Sequence, residues 1–245
     1  MKSVVENIIR FRNPSFRFDS ALSNFALMQF MWLGGSSLLR ALRLLIYFRN
    51  PKGAMFNSGV RFFNLPKIKW GKFLKLGKGV YISALAKKGI ELGDHVSIGD
   101  YSRIIVSTTF NNLGEFIKIG NNVGIGEFAY LGGAGGLEIG NDCIVGQYFS
   151  CHPENHDFSE IELSIRFQGV TRQGIKIGNN CWIGSKVTIL DGVQIGEGCI
   201  IAAGAVVTKS FPSNSIIAGV PAKLIKKRNE KKENHISYGI RSKSL

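Results

Sequence analysis

Two histidines near the middle of the chain are the residues best suited to chemistry. His152 and His156 lie in the segment HPENHDFSE, and Asp157 follows the second of them. A neutral imidazole, with an ordinary pKa of about 6.5, can take a proton from a hydroxyl group near neutral pH. The pair therefore predicts general-base catalysis, with Asp157, Glu154 or a backbone carbonyl available to fix the tautomer of the imidazole.

Two other kinds of site can be drawn from the same residues. Cys151 next to His152 could be a cysteine nucleophile activated by a histidine, and His95, His152 and His156 could form a three-histidine zinc site. The first is disfavoured because Cys151 occupies a core position of a six-residue repeat, and the second because His95 lies several turns of that repeat earlier. None of the four cysteines has Cys-x-x-Cys spacing, so no metal is expected.

The elements that must position these residues follow the six-residue repeat. Its clearest register is Ile177, Ile183, Ile189, Ile195, Ile201 and Val207, and shorter registers run from Ile119 to Leu137, from Ile139 to Cys151 and from Leu92 to Ile104. A period of six fits neither an α-helix nor simple strand alternation. It is typical of a triangular coil with one inward apolar residue on each side. We expect about 18 residues in a turn and turns stacked about 4.8 Å apart.

The register also explains three cysteines. Cys143, Cys181 and Cys199 each stand two positions before a repeat residue, and strand alternation turns that position inward as well. Cys181 and Cys199 are one turn apart and are predicted to stack. We interpret these thiols as core-filling groups with no redox or metal role.

The repeat divides the chain into three parts. A helical segment is predicted for residues 1–60, the β-helix for residues 61–225 and a basic, flexible tail for residues 226–245. One long excursion, residues 152–176, interrupts the β-helix. Loops that leave a rigid scaffold often carry function, and this one holds both histidines.

The N-terminal part contains an apolar run, residues 21–48, of which residues 21–39 carry no charge. Polar residues and glycines dilute this run, which is barely long enough for a membrane span of about 20 residues. We expect one or two helices in peripheral contact with the inner membrane face, with basic flanks against lipid phosphates. A helical cap on the β-helix, a subunit contact and a true span remain alternatives.

The net charge of +14 predicts anionic partners such as nucleotide phosphates or an anionic membrane surface. Nucleic acid is not expected, because no recognition module accompanies the charge. Basic and polar residues are interspersed through the first twenty positions and no small-residue cleavage site follows an early apolar core, so no secretory leader is expected. A cytoplasmic, reducing location follows from these observations.

Three stretches are specific enough to resemble a known family, namely NHDFSE, QGVTRQGIKIGNNCWIGSKVTILDGVQIG and AAGAVVTKSFPSNSIIAGVPAKLIKKR. They resemble the hexapeptide-repeat acetyltransferases, particularly the galactoside, maltose and xenobiotic acetyltransferases and the O-acetyltransferases of surface polysaccharides. The resemblance covers roughly residues 76–228. It implies an all-β fold, a left-handed parallel β-helix, together with a homotrimer, acetyl-CoA as co-substrate and a histidine base.

The resemblance also implies roles for single residues. The catalytic histidine of these enzymes falls five positions after a repeat residue, and His156 stands five after Cys151, so His152 and Asp157 become alternative or supporting residues. The positions that match the acetyl-CoA site are Trp182, Ser185, Ala203, Thr208, Lys209 and Lys223. The first three would line the pantetheine arm, and the last three would lie near the adenine and phosphates.

One feature of the galactoside enzymes is missing. Their asparagine that helps hold the acceptor or the acetyl group has no counterpart, because LGGAGGLEIG stands in its place. Glu127, Tyr130 and Arg172 are the candidates for acceptor recognition instead. The predicted function is O-acetylation of a sugar in a bacterial surface polysaccharide or its precursor. N-acetylation of an amino sugar, a non-catalytic β-helix scaffold and a carbonic-anhydrase-like metal enzyme remain alternatives.

Overall fold

The computed structural model describes residues 2–10 and 14–228, so the predicted tail lies outside the described residues from position 229 onward. Two helices come first, α1 (Lys2–Arg10) and α2 (Asn24–Ala41), and a 3-10 helix follows at Leu42–Tyr47. Shorter 3-10 helices lie at Leu65–Lys67 and Ile165–Phe167. The rest of the described chain is short strands and tight corners.

The strands are β1 (Met55–Phe56), β2 (Arg61–Phe63), β3 (Ile68–Trp70), β4 (Lys75–Leu76), β5 (Tyr81–Ser83), β6 (Ala86–Leu92), β7 (Ser97–Ile98), β8 (Arg103–Ile105), β9 (Gly114–Ile119), β10 (Gly124–Ile125), β11 (Tyr130–Gly132), β12 (Leu137–Ile139), β13 (Ile144–Val145), β14 (Ser150–His152), β15 (Asn155–His156), β16 (Val170–Thr171), β17 (Ile175–Ile177), β18 (Trp182–Ile183), β19 (Thr188–Leu190), β20 (Gln194–Ile195), β21 (Ile200–Ile201), β22 (Val206–Val207), β23 (Ser215–Gly219) and β24 (Ala222–Lys227).

Three sheets form the faces of a prism, and the chain visits them in rotation. Sheet 1 has the order β1-β4-β7-β10-β13-β18-β21-β23-β24, sheet 2 the order β2-β5-β8-β11-β14-β19-β22, and sheet 3 the order β3-β6-β9-β12-β17-β20. Their strands pair in parallel except for the final β23–β24 hairpin. This architecture is the predicted left-handed parallel β-helix. Its first strand begins at Met55, inside the segment 1–60 that was expected to be N-terminal and helical.

The repeat residues point into the prism and are buried along its length. Ile183 pairs with Ile201, eighteen residues further on, as the repeat predicts. Ile125 pairs with Val145, twenty residues further on, so the turns are not uniform. The extra length lies in the corner at residues 132–136, whose glycines allow a wider bend. Cys143, Cys181 and Cys199 lie in this core, as predicted.

The corner between sheets 3 and 1 shows why a glycine so often follows a repeat isoleucine. A Cβ on Gly140 would lie 2.6 Å from Oδ1 of Asn179 in the next turn. That asparagine oxygen accepts a hydrogen bond from the backbone nitrogen of Asn141 at 2.8 Å, which ties the two turns together. Any larger side chain at position 140 would separate them.

The segment before β1 closes the N-terminal end of the prism. Ser23 caps α2 by accepting a hydrogen bond from the nitrogen of Ala26 at 3.0 Å. Ala41, at the end of α2, and Leu44 join the same buried cluster as Phe56. The hydroxyl of Ser37 donates to Oδ1 of Asn57 at 2.6 Å, which fixes the helix against the first turn. Of the helices in the described residues, none is long and apolar enough to span a bilayer.

Candidate active site

Two insertions leave the prism at the corner between sheets 2 and 3, and a cavity of about 640 Å³ lies between them. The shorter insertion, residues 107–113, follows β8, and the longer, residues 153–174, follows β14. The cavity floor is formed by the glycine-rich corner after β11. A Cβ on Gly132 would come within 2.8 Å of the carbonyl oxygen of Cys151, and a Cβ on Gly135 within 2.5 Å of that of Pro153. Glycine is therefore required here for the long insertion to cross the floor.

The long insertion has a defined conformation. Asn155 and His156 on β15 pair antiparallel with Thr171 and Val170 on β16, so the insertion begins and ends as a hairpin. The side chain of Gln168 closes the tip by donating to the carbonyl oxygens of Glu160 and Leu163 at 2.9 and 2.7 Å. The Asp191 carboxylate accepts from the backbone nitrogen of Gly174 at 2.8 Å where the chain re-enters the prism. These contacts hold the histidine segment in place.

Arg172 joins the two insertions. Its Nε donates to Oε2 of Glu154 at 2.6 Å, and its Nη1 donates to Oδ1 of Asn112 at 2.9 Å and to the carbonyl oxygen of Leu113 at 3.2 Å. The side chain of Arg172 is largely buried, so these charge-assisted bonds are weakly screened. The guanidinium is thus engaged on both sides of the cavity.

His152 is the last residue of β14 and lies outside the coil. Its ring stacks on Tyr130 of the neighbouring strand, with centroids 5.5 Å apart and an interplanar angle of 18°. Partial burial lowers the pKa of His152 from its ordinary value, because an apolar surrounding disfavours the charged imidazole. The ring faces the cavity and is held neutral more readily than a solvated histidine.

His156 lies on β15 and lines the same cavity, as well as a smaller hollow shared with Asn155, Asp157 and Phe158. Within the described chain its imidazole has no hydrogen-bond partner. Glu154, one candidate for fixing its tautomer, is already bound by Arg172. The Asp157 carboxylate lies against Gly169, where a Cβ would be 2.6 Å from Oδ2. The structure therefore brings both histidines to one cavity, so the repeat register alone does not separate them.

The cysteine-nucleophile interpretation is wrong. Cys151 is fully buried between Leu131 and Ile189 on the inner side of sheet 2. Burial raises the pKa of its thiol far above the usual range, because no nearby group stabilises the thiolate. Cys151 faces the core while His152 faces the cavity, so the two side chains do not form a nucleophile pair.

The three-histidine interpretation is not supported by the placement of the residues. His95 stacks on Phe73, with ring centroids 5.0 Å apart, and is not among the residues that line the cavity of His152 and His156. Among residues 2–10 and 14–228, no three His, Cys, Asp or Glu side chains are grouped as metal ligands would be.

The residues expected to hold acetyl-CoA lie on the later turns of the prism. Trp182 is exposed on the outer face of sheet 1, between Ile144 and Ile200 of the adjacent strands. Ser185, at the following corner, donates to Oε1 of Gln147 at 2.7 Å. Ala203 occupies the same corner one turn later, against Gly184. This part of the surface combines an exposed aromatic ring with polar groups.

The other residues expected to hold acetyl-CoA lie nearer the C-terminal end of the prism. Thr208 and Lys209 directly follow β22, and the Nζ of Lys209 lies 5.9 Å from the ring centroid of Phe211. Lys223 is on β24, opposite Ala218. Both lysines are exposed, and neither has an acidic partner among the described residues. They are available to an anionic ligand.

Within one chain Trp182, Ser185 and Ala203 lie on a different side of the prism from the histidines. The histidine cavity is at the corner of sheets 2 and 3, whereas Trp182 is on sheet 1 and Ser185 and Ala203 are at the corner of sheets 1 and 2. The width of sheet 2 separates them, on the order of 20 Å for a side of six residues. Thr208 and Lys209, which follow β22, lie instead at the corner of sheets 2 and 3, two strands along sheet 2 from β14.

The short insertion was not found by sequence reasoning. Its residues Thr108, Thr109, Asn111 and Asn112 line the cavity opposite the histidines. The signal was a break in the six-residue register after Ile104, which resumes only at Ile117 and Ile119. Of the three acceptor candidates, Tyr130 and Arg172 line the cavity, but Glu127 lies at the corner of sheets 1 and 2 and does not.

Comparison with known proteins agrees with this architecture. The family described as "Bacterial transferase hexapeptide (six repeats)" matches residues 174–209. A probable acetyltransferase of Mycobacterium tuberculosis, Rv3034c, is 34% identical over 154 residues, which are 62% of this chain and 49% of that protein. The chain thus spans about half the length of this relative.

A second relative is matched over most of its length. The putative lipopolysaccharide biosynthesis O-acetyl transferase WbbJ of Escherichia coli is 30% identical over 184 residues, which are 75% of this chain and 83% of WbbJ. Among solved structures, the N-acyltransferase AntD from Bacillus cereus, in complex with dTDP and 3-hydroxybutyryl-CoA, is 22% identical with a TM-score of 0.42. That alignment covers 74% of this chain and 82% of AntD.

Proposed function

Since this chain belongs to the hexapeptide-repeat acetyltransferases, we propose that it moves an acetyl group from acetyl-CoA to a hydroxyl of a sugar in a bacterial surface polysaccharide or its precursor. The observation that carries the proposal is the cavity with two histidines on one side and the amides and hydroxyls of residues 107–112 on the other. Amides, hydroxyls and an aromatic ring suit a sugar, which offers both hydroxyl groups and apolar C–H faces. The name of WbbJ points to the same acceptor class.

His156 is the proposed general base. Its imidazole has no hydrogen-bond partner among the described residues and is therefore free to accept the proton of the acceptor hydroxyl. As that proton leaves, the hydroxyl oxygen attacks the thioester carbonyl carbon, the carbon–sulfur bond breaks, and CoA departs with the proton. His152 supports the reaction by lining the cavity as a neutral ring stacked on Tyr130.

The donor is proposed to lie along Trp182, Ser185 and Ala203, with its phosphates toward Thr208, Lys209 and Lys223. An exposed tryptophan can cover the apolar pantetheine arm, and exposed lysines attract the phosphates. Because one chain keeps Trp182, Ser185 and Ala203 about a sheet width away from the histidines, we propose a homotrimer in which His156 of one subunit meets the CoA groove of its neighbour. Light scattering of the purified protein at several concentrations tests the trimer, and a stable monomer would contradict it.

A cytoplasmic location is part of the proposal, because acetyl-CoA is a cytoplasmic metabolite. We also propose that residues 21–48 make peripheral contact with the inner membrane face, since this segment is largely exposed and apolar. An enzyme held there would meet lipid-linked glycan precursors.

Transfer of radiolabelled acetyl groups from acetyl-CoA to a panel of nucleotide sugars and lipid-linked oligosaccharides tests the reaction. The expected product is an ester, which loses its label in mild alkali, whereas an amide retains it. His95→Ala is a matched control, since it removes an imidazole away from the cavity. Label found only in amides, or released as acetate without an acceptor, would contradict O-acetylation.

A further inference from the structure

The surface of α2 and the 3-10 helix after it is unusually apolar. Trp32, Ile46 and Phe48 are 77%, 76% and 98% exposed. Further large apolar residues that are exposed on the same segment are Phe25, Met28, Phe30, Met31, Leu33, Leu38, Leu39, Leu42, Leu45 and Tyr47. Contiguous apolar surface of this extent marks a site of contact with another apolar body.

An apolar cavity opens on the same surface. It has a volume of about 630 Å³ and lies between α2 and the turn that leads into β1. Met31, Leu38, Leu39 and Leu42 form its helical wall, and Pro51 and Lys52 lie on the other side. We therefore expect the partner to place hydrocarbon groups in this cavity and to cover the exposed apolar side chains around it.

The charge of this end of the molecule narrows the choice of partner. Residues 20–90 contain twelve Lys and Arg and no Asp or Glu. Lys72 and Lys75 are exposed on the first turns of the prism, and their side-chain ammonium groups form no ion pair among the described residues, although the backbone nitrogen of Lys72 donates to the Asp94 carboxylate. Among the described residues, the guanidinium of Arg40, on α2, hydrogen-bonds only the hydroxyl of Ser36. A second copy of this end would bring like charges together, whereas an anionic surface would neutralise them.

We infer that the α2 end of the molecule docks on a bilayer containing anionic phospholipid, with the exposed apolar side chains entering the interface and the lysines and arginines facing lipid phosphates. The two contributions act together, because apolar burial and attraction to anionic lipid both add to interfacial binding. The inference deepens the proposed membrane contact and rests on the proposed function for its purpose. Lipid binding itself is measurable without acetyl-CoA or sugar.

The docked enzyme would act close to the membrane. Strands β8, β11 and β14, which edge the histidine cavity, are the third to fifth strands of sheet 2. At strand spacing the cavity lies about 10–20 Å along the prism from its first strand. Sugars near the lipid end of a lipid-linked glycan would then reach the histidines.

Sedimentation of the full chain with vesicles tests the inference. One set of vesicles is phosphatidylcholine alone, and the other contains about one-third phosphatidylglycerol. We expect binding to the second set to be about tenfold tighter and to weaken with salt. Equal binding to both sets, or no binding to either, would overturn the inference.

Variants separate the apolar contribution from the charges. Trp32→Ser, Ile46→Ser and Phe48→Ser together should weaken vesicle binding by at least about tenfold, because each removes apolar area from the interface. Ile225→Ser is the matched control, since Ile225 is also exposed but lies on β24 at the other end of the prism. Lys72→Gln with Lys75→Gln should weaken binding only to the phosphatidylglycerol vesicles.

Two further readouts keep the result unambiguous. In Trp182→Phe, the remaining tryptophans are exposed Trp32 and buried Trp70, so quenching by acyl-brominated lipid reports whether Trp32 enters the bilayer. If the triple serine variant changes the oligomeric mass and leaves vesicle binding intact, the surface is a contact between chains and the inference fails. Acetyl transfer to a water-soluble sugar by the same variant should equal that of the wild type, so failure of docking and failure of the proposed reaction are distinguishable.

Discussion

Arg172 and Glu154 form an ion pair across the base of the long insertion, with Nε and Nη2 of the arginine 2.6 and 2.5 Å from Oε2 of the glutamate. The same guanidinium reaches Asn112 in the short insertion. Arg172 was one of three candidates for acceptor recognition. Its donors bind Glu154, Asn112 and Leu113, so it positions the two walls of the cavity.

Replacing Arg172 by Lys should widen the cavity. A lysine keeps the charge but cannot donate to Glu154, Asn112 and Leu113 together, because it lacks the planar fork. We expect the KM for the acceptor to rise about tenfold and the KM for acetyl-CoA to stay unchanged, with the free energy of unfolding lowered by about 1–3 kcal/mol. Steady-state kinetics with each substrate varied in turn, and denaturant unfolding, measure these effects.

Glu154→Gln provides the comparison for this prediction. The amide retains one acceptor oxygen, so the Arg172 contact is weakened and the contacts to the short insertion remain. A smaller rise in the KM for the acceptor is expected than in Arg172→Lys. Equal rises in both KM values would mean that the pair supports the whole fold and has no particular role in the acceptor cavity.

The two histidines can be separated by single substitutions. If His156 is the base, His156→Ala should lower kcat by about 10²–10⁴-fold, the range that general-base catalysis contributes. His152→Ala should cost less, because it removes a stacked ring that lines the cavity. Initial rates with saturating acetyl-CoA measure both, and retained activity in His156→Ala would transfer the role of base to His152.

The burial of His152 has a consequence for pH. Because its pKa in the folded state is lowered from the ordinary value, the folded chain binds this proton less readily than the unfolded chain does. Its contribution to stability is therefore complete above a pH of about 6.5 and is lost as the pH falls through that value toward the lower folded pKa. Wild type should lose more stability than His152→Gln between about pH 7.5 and about pH 5.5.

An NMR titration checks the cause of that shift. The His152 ring should titrate with a midpoint below about 6.5. In Tyr130→Ala the stacking ring is gone and the imidazole is more hydrated, so the midpoint should move back upward. A midpoint in wild type at or above the ordinary value would show that burial does not control this imidazole.

The fold was predictable from the sequence to the extent that the repeat is strict. From Ile177 to Val207, one residue on each side of the prism points inward at a fixed interval, so the six-residue period alone predicts the coil there. Where a corner absorbs extra residues, as at Gly132 to Gly136, the period changes and the eighteen-residue turn was wrong. The start of the coil at Met55 was missed because the first turns are closed by Ala41 and Leu44 of the preceding segment, which no local pattern reveals.

The site was predictable only where it follows from the register. Strand alternation predicts that Trp182 points outward and Cys151 points inward, and the structure confirms both positions. The register does not predict the cavity. The cavity depends on two insertions that meet at one corner, although the strands that they follow, β8 and β14, are far apart in sequence. Asn112 was missed for that reason, since its contact with Arg172 spans sixty residues of chain.

The donor site is tested by comparing two donors that differ in charge. Lys209→Gln and Lys223→Gln should each raise the KM for acetyl-CoA by about three- to tenfold, because each removes a charge that would contact a phosphate. The KM for S-acetylpantetheine, which carries no nucleotide, should be unchanged. Lys118→Gln removes the same charge from an exposed position on β9 and should change neither value. A rise with both donors, or an equal rise in the Lys118 variant, would mean that these lysines act through net charge, and the CoA phosphates would then lie elsewhere.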